Sequence, residues 1–404
     1  MNGTIQQLSG ESHMALAPLA GFASVEAMIA ARRPSEPVYC LYPAVQRAVA
    51  RRFLEGFPGR VLYAVKANAD AHVIRALWDA GVRHFDTASL AEIELVKELL
   101  PEAQCYFMAP ARLIGAAQAA HRRHGVTTFV VDCASELEAL LGETGGGQGL
   151  TIFVRLATPA PEAMYDLSTK FGATREEGVA LLKAVAASGA TPALAFNVGS
   201  LVLQPSAYGD ALAFCAQVLK DCGLPIGLLD VGGGFPSGYP GLDPAPLEAF
   251  FQAIAQARAQ LPLAPDAELL GEPGRALVAE GLSLVTQVVQ RKEGSITLND
   301  GIYGSISEPA ISKGQVMFPT RTYRAEGALA DATRPLKIYG PTCDSLDALP
   351  EPFTLPGDIT RGDWIEFGLM GAYTISMRTR FNGFHPEAMV EIADPAALPP
   401  GVGD

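Results

Sequence analysis

Lys66 ends the apolar run VLYAVK, Asp86 lies within HFDTAS with Glu92 just beyond, and Arg155 lies in LTIFVRLA. Asn197 and Ser200 follow ALAF, the glycines Gly232, Gly233 and Gly234 follow LLDV, and Glu272, Gly274 and Arg275 stand together in GEPGR. The set holds an amine, carboxylates and a glycine-rich turn with serine and arginine beside it. Backbone N–H groups in such a turn can surround a phosphate, because no Cβ blocks the approach. An arginine adds a charge-assisted fork. A lysine at the mouth of a closed pocket loses hydration, which is expected to lower its pKa and raise its nucleophilicity. Amine, cradle and acid together are what pyridoxal 5'-phosphate (PLP) requires. The lysine forms the Schiff base, the cradle holds the phosphate, and the acid keeps the ring nitrogen protonated as an electron sink.

Each piece alone has a plainer reading. A lysine ending an apolar strand is usually a solvated charge, and EPGR can be an ordinary loop with a surface ion pair. Three glycines after a strand more often make a tight turn or a dinucleotide site. The dinucleotide reading suffers because GGGFPSGYPG places prolines where a helix should begin and lacks the G-x-G-x-x-G order. Joint placement is what raises the odds.

That placement follows from the elements. β-type runs recur at VLYAVK, HFDTAS, CYFMAP, TTFVVDC, LTIFVRLA, ALAFNVG, IGLLDVGGG and ELLGEPGR, separated by stretches with apolar residues at three- and four-residue intervals. Several of these stretches stop at glycine. Eight strand–helix units make a (β/α)8 TIM barrel, whose chemistry sits at the C-terminal strand ends. After about residue 281 the texture changes to LSLVTQVVQRK, SITLNDGIYG, RPLKIYGPTC, GDWIEFG and YTISMRT, β-type segments with turns between them. The expectation is an α/β chain: a PLP-binding barrel over 41–281, and a β-sandwich or barrel-like domain built from 282–404 with 1–40. EPVYCLY (36–42) reads as a strand leading into the barrel.

Length and composition agree. The 404 residues fit a barrel plus about one further domain, and 49% hydrophobic with 18% charged residues supports a sizeable core. A net charge of −13 gives no electrostatic footprint for nucleic acid or anionic lipid. The six cysteines are scattered without a metal-type spacing, and the N-terminal stretch has no basic region or apolar core of a signal peptide. No metal, no membrane contact and a cytoplasmic location are expected.

At this point the chain resembles the fold-type III PLP-dependent decarboxylases, the ornithine/diaminopimelate decarboxylase group, over about residues 36–385. YAVKAN, FDTAS, LSTKFGAT, FNVGS, DVGGGFP, GEPGR, NDGIYGS, GPTCDSLD, GDWIEFGLMGAYT and FNGF carry the resemblance. GPTCDSLD, MGAYT and FNGF are similar to the ornithine decarboxylase branch. The resemblance implies that Lys66 bonds the cofactor and Glu272 pairs with its ring nitrogen. Ser200, Gly233, Gly234, Gly274, Arg275 and Tyr373 would bind phosphate, and Asp86, Glu92 and Arg155 would surround the lysine and ring. Cys343 would return a proton after CO2 loss, and Asp344 would hold the substrate's distal ammonium, both reaching in from the partner of a head-to-tail homodimer. Lys170 and Asp347 match a pair that bridges subunits. The implied activity is decarboxylation of an ornithine- or lysine-like diamino acid, a step of polyamine biosynthesis.

Two departures bear on substrate. Asn197 replaces the histidine that stacks on the ring, and an amide can neither become a cation nor stack as an aromatic. The acid expected nine residues after Tyr303 is Ser312, so one charge-assisted contact is missing from the distal pocket. Glu308 is close enough to replace it if the loop is rebuilt. These departures leave open a modified or less cationic substrate, and, as other classes, a non-catalytic decarboxylase homologue acting by binding partners or a racemase on the same architecture.

Overall fold

The computed structural model describes residues 16–158, 163–165, 169–264 and 266–394. Eight parallel strands close into a barrel: Arg60–Ala64, His84–Thr87, Gln104–Phe107, Thr128–Val131, Thr151–Leu156, Thr191–Phe196, Leu228–Asp230 and Glu268–Gly271. Closure is made where Leu270 pairs with Arg60 and Gly271 with Val61. All eight expected runs are strands of this barrel. Side chains alternate by the two-residue period of a strand. Leu62, Val130, Phe153, Ala193 and Leu270 cluster as one set, while Val61, Tyr63, Phe129, Ile152, Val154 and Leu269 join the larger core with the helices.

The helix after Lys66 shows how the sequence builds the outer ring. In Ala71–Ala80, the Asp70 carboxylate accepts the His72 N–H at 2.9 Å, satisfying an N-terminal donor that has no partner inside the helix. Val73, Ile74, Ala76, Leu77 and Ala80 form its buried face. Gly81, at φ +115°, ends it in a conformation that costs a side-chain-bearing residue about 1–2 kcal/mol.

A nine-stranded mixed sheet forms the rest, in the order Ala20–Phe22, Ala388–Ile392, Val38–Leu41, Leu282–Lys292, Ser295–Leu298, Thr333–Tyr339 and Phe353–Pro356. Trp364–Phe367 pairs beside Leu282–Lys292 and carries Thr320–Tyr323 on its other edge. The strand within EPVYCLY precedes the barrel in the chain and lies in this sheet. Val38–Leu41 pairs antiparallel with Leu282–Val285 and parallel with the 388–392 strand, because its four consecutive buried residues need cover on both faces. YTISMRT is no strand: Tyr373 sits at φ +56°, and 373–379 runs as turns over the barrel mouth. Among the described residues, no helix is long and apolar enough to cross a membrane.

Candidate active site

Lys66 occupies a single 3-10 turn, Val65–Ala67, directly beyond the first barrel strand. Two contacts fix that turn to the 370s segment. Asn68 donates to the Gly371 carbonyl at 2.9 Å, and the Tyr373 N–H donates to the Ala67 carbonyl at 2.8 Å. The Lys66 ammonium lies 2.7 Å from Asp86 Oδ2, on the neighbouring strand end, and Asp86 is buried. Its pKa is raised rather than lowered. Desolvation pulls it down, but the Asp86 and Glu272 carboxylates and Tyr373 together outweigh that pull. The expected depression is thus corrected: this lysine is held as a cation by the acids around it. Glu92 stands one step back, accepting the Ala88 N–H at 2.7 Å, with its pKa raised by burial.

Strands seven and eight bring two more acids together. Asp230 is fully buried, accepts the Gly232 N–H at 2.8 Å through Oδ1, and has no partner for Oδ2. Burial pushes its pKa up to about 6. Glu272 donates its N–H to the Gly232 carbonyl at 2.8 Å. Its pKa is raised by burial first and then by Asp230 and Asp86, against the opposing pull of Lys66 and Arg155. Arg155, at the end of strand five, stacks its guanidinium over Phe171 at 5.4 Å with Nε unpartnered. Asp86 Oδ1 is unpartnered as well.

The glycine turn lies against these acids. A Cβ on Gly233 would stand 2.7 Å from the Glu272 carbonyl oxygen, and Gly234 has φ +107°, so the turn admits glycine alone. Together with Ser200, Gly274, Arg275 and Tyr373 it lines one enclosed pocket that includes Lys66 and Glu272. Arg275 is buried. Its Nη1 donates to Tyr239 and its Nη2 to Glu308, each at 2.8 Å, while its Nε is left without a partner; the Tyr373 ring lies 4.9 Å from its guanidinium carbon.

A larger cavity, about 330 Å³, opens beside it. Lys66, Ser200, Arg275 and Tyr373 form one side; Tyr165, Glu308, Ile311 and Met377 form the other. Glu308 is engaged here, with Oε1 accepting from both Arg275 and Tyr165, the latter at 2.9 Å. Ser312 does not line the cavity. Its hydroxyl bonds the Pro309 carbonyl at 3.3 Å and accepts the Val316 N–H at 2.9 Å, closing the turn after the short helix Glu308–Ile311. Ser312 thus stands behind Tyr165 and Ile311 of the cavity wall. Asn197 lines the enclosed pocket, but its Oδ1 is spent on the Gly199 N–H at 2.9 Å.

Cys343 and Asp344 do not line this chain's cavity; Cys343 is exposed and Asp344 half-buried. Asp344 accepts from the Tyr303 hydroxyl at 2.5 Å and the Leu346 N–H at 2.9 Å, and both contacts hold its pKa low. Lys170 lies 4.8 Å over the Phe171 ring, whereas Asp347 is buried and accepts the Ile302 and Thr342 N–H groups, each at 3.0 Å. Within one chain those two charges are both engaged elsewhere. The LSTKFGAT segment begins at Leu167 and Ser168, which lie outside the described residues. Tyr165, Tyr239, Met377 and Asp230 were not among the residues expected from sequence. Only Asp230, ending a strand immediately before the glycines, carried a readable signal.

The donors left over match PLP. Unpartnered Arg275 Nε and the Cβ-free turn suit a phosphate, and Lys66 suits an aldehyde. The crowded acids at Glu272, with unpartnered oxygens on Asp86 and Asp230, suit a cationic ring nitrogen.

A family model described as pyridoxal-dependent decarboxylase, pyridoxal binding domain, matches residues 44–279. The lysine/ornithine decarboxylase of Selenomonas ruminantium is 33% identical over 335 residues, covering 80% of this chain and 81% of that protein. The arginine decarboxylase of Paramecium bursaria Chlorella virus superposes with a TM-score of 0.80 at 25% identity, covering 90% of this chain and 98% of that one. The lysine/ornithine decarboxylase of Vibrio vulnificus complexed with putrescine gives a TM-score of 0.77 at 30% identity, covering 92% and 99%.

Proposed function

The chain belongs to the pyridoxal-dependent decarboxylases, and on that premise we propose that it removes CO2 from an ornithine- or lysine-like diamino acid and leaves the diamine. The observation that carries this reading is the Lys66 ammonium, 2.7 Å from buried Asp86, in a pocket it shares with Glu272, the glycine turn and Arg275. Bound there, PLP supplies an electron sink for the pair left on Cα when the carboxylate departs. Lys66 would hold the cofactor covalently, and Glu272 would keep a proton at the ring nitrogen. Ser200, Gly233, Gly234, Gly274, Arg275 Nε and Tyr373 would orient the phosphate, so that the bond to be broken is presented in one geometry. Asp86 and Arg155 would frame the ring.

The positions of exposed Cys343 and half-buried Asp344, away from this chain's own cavity, fit a homodimer in which each copy completes the other's site. Cys343 Sγ would return a proton to Cα, and Asp344, its carboxylate kept ionised by Tyr303 and Leu346, would hold the distal ammonium. Six unpaired thiols suit a reducing compartment such as the cytoplasm. A second reading, a modified or less cationic amino acid, is favoured by one observation: the cavity's far wall offers Ile311 and Met377, while Glu308 is already bound by Arg275.

The test is CO2 release from ornithine, lysine, arginine and amino acids without a distal cation, with and without added PLP. PLP-dependent release from a diamino acid, lost in Lys66→Ala, is the expected result. Faster release from an uncharged side chain would move the assignment to the second reading, and none from any amino acid would sink both.

A further inference from the structure

The acids around the ring side of the pocket outnumber the cations. Asp86, Asp230 and Glu272 converge there with Lys66 and Arg155, three carboxyls against two basic groups. Asp230 is the least accessible of the three acids, at 0% exposure, with one oxygen on the Gly232 N–H and the other unpartnered. It ends strand seven, whose Asp230 pairs with Leu270 of strand eight, and Gly232 accepts the Glu272 N–H at 2.8 Å. Pairing of the two strand ends brings the two carboxyls within reach of each other. Burying two neighbouring carboxylates costs several kcal/mol per ion, and Lys66 and Arg155 offset that cost only in part, so the pair keeps a proton in the cofactor-free pocket. The raised pKa values of both groups, to about 6 for Asp230, agree with that arrangement.

Resting on the assignment of PLP to this pocket, we infer that Asp230 is a positioning residue for the ring nitrogen, acting through Glu272 to provide the surplus negative charge that selects a basic ring over a neutral one. With PLP bound, the proton shared by the pair would pass to the ring nitrogen, one carboxyl O–H bond exchanged for one N–H bond, and the pair would be left doubly ionised beside one new cation. Counting these groups and the ring nitrogen alone, three acids would then face Lys66, Arg155 and the nitrogen. With Glu272 alone the same transfer would leave one excess positive charge.

The experiment compares binding of PLP with that of its deaza analogue, in which carbon replaces the ring nitrogen and the phosphate and aldehyde are kept. Affinities are read by absorbance for the wild type and Asp230→Asn, which retains Oδ1 as an acceptor for the Gly232 N–H. The wild type should prefer PLP, and D230N should shrink that preference about tenfold or more, the equivalent of one pKa unit. The loss should fall on PLP, leaving the analogue's affinity nearly unchanged. Equal loss for both ligands would reduce Asp230 to a support for the glycine turn and overturn the inference, as would an unchanged ratio. Should D230N fail to fold, D230S, smaller and still able to accept from Gly232, gives the same comparison. Failure of the wild type to bind either ligand would instead overturn the PLP assignment itself.

Discussion

Replacing Arg275 with methionine removes a cation that is 4% exposed and hydrogen-bonded to Glu308 and Tyr239. Glu308, 6% exposed, then keeps only the Tyr165 hydroxyl. Breaking one side of a buried pair typically costs about 3–5 kcal/mol, because the remaining charge is stranded away from water. R275M should therefore lower the stability of the cofactor-free protein by about that amount. E308M should also destabilise, leaving Arg275 with Tyr239 alone. The double variant should be less damaged than the sum of the two, and close to the milder single, since no charge is left uncompensated. Urea unfolding followed by circular dichroism measures all four proteins. A second readout tests the cofactor role: losing one charge-assisted contact, about 1.5–3 kcal/mol, should weaken PLP binding roughly 10- to 150-fold in R275M. Additive stability losses in the double variant would refute the buried-pair argument. PLP affinity unchanged in R275M would refute the assignment of its free Nε to the phosphate.

Lys66→Ala should abolish the protein–cofactor adduct that borohydride fixes, detected as a mass increase on the peptide containing residue 66. Gly233→Ala places a Cβ 2.7 Å from the Glu272 carbonyl oxygen, so PLP affinity should fall tenfold or more while secondary structure by circular dichroism is kept. Cys343→Ala and Lys66→Ala should each be inactive alone, yet mixing the two should restore CO2 release if a site draws on both subunits; a mixture as dead as its parents would exclude a shared site. For Asp230, a folded pKa of about 6 against an ordinary 3.8 means that the cofactor-free fold binds more protons than the unfolded chain in between. Its contribution should thus decline as pH rises from about 4 to 6, by up to about 3 kcal/mol, and D230N should flatten that segment of the stability–pH profile.

Barrel strands were legible because a buried parallel strand is a short apolar run, and eight such runs recur at the spacing of strand–helix units. The site was legible to the same extent, since residues at strand ends of a closed barrel must face one mouth. Lys66, Asp86, Asn197, Gly233, Glu272 and Arg275 stand there as a consequence of chain order. Illegible were features set by partners far away in sequence. Val38–Leu41 has the same apolar texture as a barrel strand, and its register against Leu282–Val285 and the 388–392 strand is set only by the fold. YTISMRT alternates like a strand, but the Tyr373 N–H is taken by Ala67, more than 300 residues earlier, which bends it over the mouth.

By itself, then, the sequence determined the barrel, the mouth and the kinds of groups gathered there, because these depend on local pattern and order. Tertiary structure decided the state of those groups. Lys66 remains a cation because acids from neighbouring strands outweigh its desolvation, and Glu308 is tied to Arg275 across 33 residues instead of standing free for a substrate. Ser312 caps a turn, and Asp230 presses its charge on Glu272. Charge interactions act through space at a few ångströms, and that closeness between separate strands and loops is what pattern in one dimension does not encode.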